Sequence, residues 1–364
     1  MKILLFYDCI YPGSVGGVEH RNHELAKALA DRGHRVTLAG FCDAPSEPHP
    51  GVEVRPVGPA GRLYTSEGKR STSEALRLAK AALRLDVREF DVVEAANIPY
   101  AHLPALAFHN RPLVVTWHEY WGRYWSHYLG GRWPVYAAVE WVAAHLGTAA
   151  VAVSHLTAGR VQAVRGEEVR VVPNGIPVQA IRSAAGKGEG PPLIYAGRLL
   201  REKRIDLLLE SVARLGRPGP LLAVYGDGPD RARLERLADR DLVVFEGYLP
   251  TNVDVWRRMG SAKIAVQPSS REGFGLFPLE AMAAGLPVVY CESSESALSE
   301  LVEDGTHGIR TAPEAESLAK ALDRLLSDEA ERSRLAENAR RHAEGFDWSA
   351  VAAEMENVFS LAVR

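Results

Sequence analysis

Short, uninterrupted apolar runs alternate with amphipathic stretches along this chain, and the alternation restarts once. In the first half, residues 3–7, 36–41, 52–57, 92–95, 113–116, 151–153 and 169–172 read as buried strands. Helical periodicity fills the gaps. Residues 18–32, for example, place Leu25, Ala26, Leu29 and Ala30 on one face. A second series follows, with strands predicted at 193–196, 221–225, 243–245, 264–267 and 288–291 and helices between them. Strands that are apolar on both faces, separated by amphipathic helices, predict parallel sheets covered on both sides. The expected architecture is therefore α/β, with two doubly wound domains whose ligands bind outside the carboxyl ends of the strands.

Between the two series the composition shifts to Gly, Pro and small residues, first at Pro173-Asn174-Gly175-Ile176-Pro177 and then across 184–192. This places an N-terminal domain at 1–180 and a second at 181–346. A separate closing helix is expected over 347–364, capped by Asp347 or Ser349, with Val351, Met355, Val358 and Phe359 on its apolar side. At 364 residues the chain exceeds one comfortable core, which agrees with two domains.

Composition narrows the function classes. Hydrophobic content of 46% and charged content of 24% are ordinary for a globular enzyme, and no apolar run reaches the length of a membrane span. The net charge of −3 argues against nucleic acid as a partner. Cys9, Cys42 and Cys291 are too widely spaced for a disulfide framework or a zinc site, which points to a reducing cytoplasm.

The most informative stretch is Arg271-Glu272-Gly273-Phe274-Gly275-Leu276-Phe277-Pro278-Leu279-Glu280. It follows a strand and opens a helix expected over 276–284. Backbone N–H groups from Gly273 to Phe277 would sit at a helix N-terminus, which binds anions. Glu272 can then reach a polar ligand beside the anion, and Glu280 a diol behind it. Arg198 and Lys203 leave the end of the strand 193–196, where fixed cations can neutralise a diphosphate without metal. Gly13-Ser14-Val15-Gly16-Gly17-Val18-Glu19 opens the first helix and lets a ligand approach the backbone closely, without the dinucleotide spacing. Asp239-Arg240-Asp241 has a metal-binding shape but reads as a solvated loop.

His118, at a strand end in Thr116-Trp117-His118-Glu119, can hydrogen-bond a sugar hydroxyl or take part in proton transfer. Beside it, nine of the chain's Trp and Tyr residues fall between Trp117 and Trp141. Spacings of three and four would align Trp117, Trp121 and Trp125 with Tyr124 and Tyr128 along a helix. Core packing is the default for such residues, yet Trp and Tyr also stack on sugars and sit at membrane interfaces. A helix over 72–90 carries Arg77, Lys80, Arg84 and Arg88 opposite Leu76, Ala79, Leu83 and Val87, a basic face with some capacity for anionic lipid.

Taken in order, Gly16-Gly17-Val18-Glu19, His118, Asn174-Gly175-Ile176, Gly197-Arg198 with Lys203, Gly226-Asp227-Gly228-Pro229 and Glu272-x7-Glu280 resemble the retaining glycosyltransferases of family 4. The resemblance runs from end to end. It implies the GT-B fold, two Rossmann-like domains facing a cleft, and no cofactor or metal. It implies that Arg198 and Lys203 bind the donor diphosphate and that Glu280 holds the ribose hydroxyls. Glu272 would contact the transferred sugar, and His118 would face that sugar from the other domain. Gly16 and Gly17 would close on the donor phosphate, with Gly273, Phe274, Gly275 and Leu276 completing the donor site. Glu19, Trp117, Glu119, Tyr120 and Trp121 are the acceptor-side candidates. The family's closing helix returns to the N-terminal domain. Two departures stand out: Glu119 follows His118 where the family often has Asp, and Ser293–Ser299 is serine-rich where the family is usually glycine-rich.

The expected activity is metal-independent, retaining transfer of a hexose-type sugar from a nucleoside-diphosphate sugar to an acceptor hydroxyl. Uridine is favoured over guanosine as the donor base, and the acceptor is a glycan, a glycolipid or a small metabolite. The expected location is the cytoplasm, with peripheral contact at the inner membrane surface as an option. Two other readings stay open: a sugar-nucleotide epimerase of the same fold, and a non-catalytic nucleotide-sugar-binding protein.

Overall fold

The computed structural model describes residues 1–12, 16–43, 49–61, 63, 70–186 and 188–364. They form two compact units, the first made of Met1–Gly175 with Trp348–Arg364 and the second of Ile176–Asp347. The chain crosses between units at 175/176, five residues ahead of the expected boundary at 180.

Unit 1 begins with β1 (Lys2–Cys9), α1 (Gly17–Asp31), β2 (Arg35–Phe41), β3 (Val52–Gly58) and α2 (Thr72–Arg84). It continues through β4 (Val92–Ala96), α3 (His102–Ala107), β5 (Leu113–Trp117), α4 (Trp125–Leu129) and α5 (Trp133–Ala144). It then runs through β6 (Ala149–Ala152), α6 (His155–Arg165) and β7 (Val169–Val171). Unit 2 holds α7 (Val178–Ala184), β8 (Leu193–Ala196), α8 (Ile205–Ala213), β9 (Leu222–Tyr225), α9 (Arg231–Leu237) and β10 (Val243–Gly247). After these come α10 (Asn252–Met259), β11 (Ile264–Gln267), α11 (Leu276–Ala283), β12 (Val288–Cys291) and α12 (Leu298–Leu301). The unit closes with β13 (Gly308–Thr311), α13 (Ala315–Ser327) and α14 (Glu329–Ala343), and α15 (Trp348–Ala362) then joins unit 1.

Both sheets are parallel throughout. Their orders are β3-β2-β1-β4-β5-β6-β7 and β10-β9-β8-β11-β12-β13. Strand order therefore reverses between β1 and β4 in unit 1 and between β8 and β11 in unit 2. In a doubly wound sheet that reversal opens a crevice at the carboxyl ends of the two strands, where ligands bind. Apolar side chains cover both faces of the first sheet: Phe6, Leu103 and Trp117 on one, and Leu5, Leu29, Met355 and Phe359 on the other. The second face includes α15, tied down at its surface by Arg32 Nε donating to Glu356 at 2.7 Å.

Three expectations are corrected. The helix predicted over 72–90 stops at Arg84, and its buried side carries Leu78 and Ala82. Leu76 and Leu83, expected inside, face solvent. The aromatic segment is not one helix either, since Trp117 ends β5, Tyr120 and Trp121 lie in the loop after it, and the remainder is divided among α4, α5 and short 3-10 turns. Finally, β13 was not anticipated: its four residues Gly-Ile-Arg-Thr include a charge and a glycine, and they form a short strand beside β12.

Candidate functional site

In unit 2 the loops after β8 and β11 flank the reversal point. Leu199 N donates to Asp227 O at 2.9 Å and Ser270 N to Glu202 O at 2.8 Å, so the 197–204 loop is tied to its neighbours on both sides. This brings Lys203 Nζ within 2.5 Å of Glu272 Oε2, in a pair only partly exposed. Gln267 Nε2, at the end of β11, lies 3.4 Å from the same oxygen. The Glu272 backbone is held as well, because Ala297 N donates to its carbonyl at 2.9 Å. Tyr195 is buried nearby; burial first, and then the Glu272 charge, push its hydroxyl well above the ordinary range. Arg198 sits on the same loop with its side chain exposed.

Glu272 leads directly into α11. Gly275 caps that helix at φ 108°, and a β-carbon there would lie 2.7 Å from Leu298, so only glycine fits. Among the described residues, no N–H from Gly273 to Phe277 donates to a backbone carbonyl, which leaves an anion-binding helix start. Gly273 and Leu276 are partly exposed on it, whereas Phe274 is largely buried and faces the Phe346 ring at 6.2 Å. Glu280 lies in the second turn. It keeps an exposed edge, yet the protein packed around its carboxyl pushes it up to about 7. The Trp256 indole works against that shift, from a nitrogen that meets no partner at full hydrogen-bond geometry.

Unit 1 has its own strand-end constellation. His118 follows β5, its N–H donating to Asn97 Oδ1 at 3.2 Å, while Asn97 Nδ2 donates to Glu119 O at 3.0 Å. Asn97, fully buried after β4, thus clamps the backbone on both sides of the His118–Glu119 peptide. The His118 Nε2 is buried without a hydrogen-bond partner. Burial, and then the Arg21 charge, push the imidazole down to about 3, so it is neutral at physiological pH. A histidine this weak as a base suits hydrogen bonding to a hydroxyl better than proton abstraction. Arg21 is itself buried, donating to Glu94 at 3.0 Å, and Glu94 also accepts from Thr116 Oγ1 at 2.6 Å.

Glu19 folds back over the start of α1. A β-carbon at Gly16 would lie 2.4 Å from its Oε2, so a side chain there would displace the Glu19 carboxylate. Gly17 is the exposed first residue of the helix, while Gly13, Ser14 and Val15 lie outside the described residues. Trp117 is a correction: it is wholly buried in the core and cannot touch an acceptor. Tyr120 and Trp121 are partly exposed, Trp121 packing 4.6 Å from Trp125. Asp239 serves a turn, accepting from Asp241 N at 2.9 Å.

Sequence reasoning missed the group that organises this aromatic segment. Glu140 is fully buried with no basic partner described, and it accepts from Tyr100 Oη (2.7 Å), Trp121 N (2.8 Å), Gly122 N (2.7 Å) and Trp125 Nε1 (3.0 Å). A lone acid in the otherwise apolar run 133–144 was the available signal. Asn97, just past an apolar strand, was another.

Comparison with known proteins now defines the family. Residues 15–180 match the model described as Glycosyltransferase Family 4, and residues 178–342 match the one described as Glycosyl transferases group 1. The glycogen synthase of Mycobacterium tuberculosis is 30% identical over 404 aligned residues, covering 100% of this chain and 95% of that protein. This chain belongs to glycosyltransferase family 4. A GDP-mannose-dependent alpha-(1-6)-phosphatidylinositol dimannoside mannosyltransferase of M. tuberculosis is 37% identical over 45% of the chain and 42% of that enzyme. Among solved structures, sucrose-phosphate synthase from Thermosynechococcus elongatus superposes with a TM-score of 0.80 at 18% identity, covering 99% of this chain and 98% of that one. Anabaena HepE in complex with UDP and glucose gives 0.75 at 21% identity, covering 99% of each. These likenesses establish the GT-B fold for this glycosyltransferase.

Proposed function

We propose that this glycosyltransferase moves a hexose-type sugar from a nucleoside-diphosphate sugar to an acceptor hydroxyl, with retention and without a metal ion. The observation that carries the reading is the unit 2 constellation. A lysine–glutamate pair stands beside a helix start with free N–H groups, and a second, largely enclosed glutamate follows one turn later. Cleavage of the anomeric C–O bond leaves negative charge on the diphosphate and positive charge on the sugar. Arg198, Lys203 and the α11 N-terminus supply fixed positive potential for the first, which is the work a divalent ion would otherwise do. Lys203 exchanges Glu272 for phosphate when donor binds, releasing Glu272 to accept from a sugar hydroxyl. Glu280, once ionised, accepts from the ribose hydroxyls.

On unit 1 the neutral His118 hydrogen-bonds a hydroxyl, and Tyr120 and Trp121 offer partly exposed rings to the acceptor. The acceptor oxygen bonds to the anomeric carbon on the face the diphosphate leaves, and the departing phosphate takes the acceptor's proton. Uridine is proposed ahead of guanosine as the donor base, in keeping with the UDP held by a protein of the same fold. The acceptor class is a glycan, a glycolipid or a small metabolite. The cytoplasm is the proposed location, which suits three buried free cysteines.

A thermal-shift panel of UDP-, GDP-, ADP- and TDP-sugars identifies the donor, since a ligand bound only by the folded state raises its stability. The anomeric configuration of the product, read by NMR with chelator present, then tests the mechanism. Retention is expected. An inverted product, a requirement for added metal, or epimerised free sugar in place of transfer would each overturn the proposal.

A further inference from the structure

The most anomalous surface of the molecule is helix α5. Its inward side packs Ala143 and Ala144 into the core and turns Glu140, its only acidic or basic residue, fully inside. Its outward side is apolar too: Trp133, Val135, Val139, Trp141 and Val142 are exposed, Val135 at 66% and Trp141 at 54%. A helix that is apolar all round is ordinarily buried or inserted in lipid, and a contiguous exposed apolar patch marks an interaction surface. Twelve residues rise about 18 Å, short of the roughly 30 Å hydrocarbon layer. No helix of the described residues is long and apolar enough to cross a membrane.

The patch extends onto α2. Thr72, which opens that helix, pairs its hydroxyl with that of Tyr136 on α5 at 3.4 Å, and Leu76 (62% exposed) and Leu83 point outward from it. The exposed cations bordering these apolar residues are Lys80 and Arg84 on α2, and Arg123 and Arg132 in the turns before α5, while the nearby acids are each paired with an arginine, Asp86 with Arg88 just past α2 and Glu167 with Arg165 beside the end of α5. The single acid of α2, Glu74, is held by Arg77.

We propose that the outward faces of α5 and α2 dock this protein onto an anionic lipid surface, with α5 lying in the plane of the headgroups. Trp133 and Trp141 are the side-chain type that favours the membrane–water interface. The valines and leucines enter the acyl boundary, and the four cations meet anionic headgroups. Charge selects this occupant over a second copy of the chain: a two-fold contact through the patch would bring cations against cations. The inference is independent of the donor chemistry proposed above, because binding is read without turnover.

The test is co-sedimentation of the full chain with vesicles of phosphatidylglycerol and phosphatidylcholine in equal parts, against pure phosphatidylcholine. Binding is expected on the anionic vesicles, at least tenfold weaker on neutral ones, and weakened by salt. The triple variant Trp133→Ser, Val135→Ser, Trp141→Ser should lose at least tenfold while keeping a cooperative melting transition, since Val135 and Trp141 are more than half exposed and Trp133 more than a third. Replacing Lys80, Arg84, Arg123 and Arg132 by Ala should cost about fivefold per cation. Failure of the wild type to bind anionic vesicles, undiminished binding by the triple variant, or a stable dimer that the triple variant dissolves would overturn the proposal.

Discussion

The two units carry the same fold motif at their reversal points and use their acids in opposite ways. In unit 2, Glu272 and Lys203 are held near the surface as an ion pair, beside exposed Arg198 and an open helix start. In unit 1 two acids are turned inward, Glu94 on Arg21 and Glu140 on four neutral donors, and the β5 end presents a neutral imidazole and aromatic rings beside the partly exposed Glu119. A strand end that presents fixed charge suits a diphosphate, whereas one that hides it suits an uncharged hydroxyl. A shared topology thus permits a division of chemistry that only side chains reveal.

The contrast breaks first at Lys203. Lys203→Ala removes the charge facing the diphosphate and leaves Glu272 without its cation. A drop of about 10²- to 10³-fold in kcat/KM is expected in steady-state kinetics, with little change in melting temperature because the pair is partly solvated. A loss under threefold would mean the unit 2 charges are structural. The mirror-image experiment is Glu140→Ala, which strands four donors, at least two of them on buried side chains. Stability should fall by about 3 kcal/mol in urea unfolding, with donor affinity kept. Unchanged stability would show that Glu140 does not organise the 117–136 segment.

A smaller effect sharpens the role of Glu280. Its carboxyl is pushed up to about 7 in the fold, from an ordinary value of 4.5. The neutral form is the one the folded state favours, so this group's stabilising contribution is full below about 4.5 and is lost as pH rises through about 7. Accepting from ribose hydroxyls requires the ionised form, so donor affinity should run the other way. It should tighten up to about tenfold between roughly pH 6 and 8, and Glu280→Gln should abolish that dependence. A profile unaltered by the substitution would remove Glu280 from the donor site. His118, pushed down to about 3, should contribute no titration in that window.

Much of this was legible in the chain because buried parallel strands write themselves as apolar runs. Twelve strands could be read that way, and β13 could not, since Arg310 and Gly308 interrupt its pattern. The helix α2 misled for a different reason. Leu and Ala occupy 75, 76, 78, 79, 81, 82 and 83, enough for two overlapping stripes, and tertiary packing selected Leu78 with Ala82. Trp117 was taken into a helical spacing although it ends a strand of a sheet covered on both faces, where every position is buried. Lys203 and Glu272, sixty-nine positions apart, were each named from their place after a strand, but their pairing belongs to the folded loops. The clamp by Asn97 and the four-donor shell of Glu140 also depend on distant elements meeting, and single residues carry little trace of that.

The central claim is that the fixed charges of unit 2 hold the nucleoside diphosphate, while His118 of unit 1 takes no part in nucleotide binding. Calorimetric titration of UDP, with GDP alongside, into the wild type, Lys203→Ala and His118→Ala tests it most directly. The account predicts at least tenfold weaker nucleotide binding for Lys203→Ala and wild-type binding for His118→Ala. Equal binding by the wild type and Lys203→Ala, or a loss confined to His118→Ala, would contradict it.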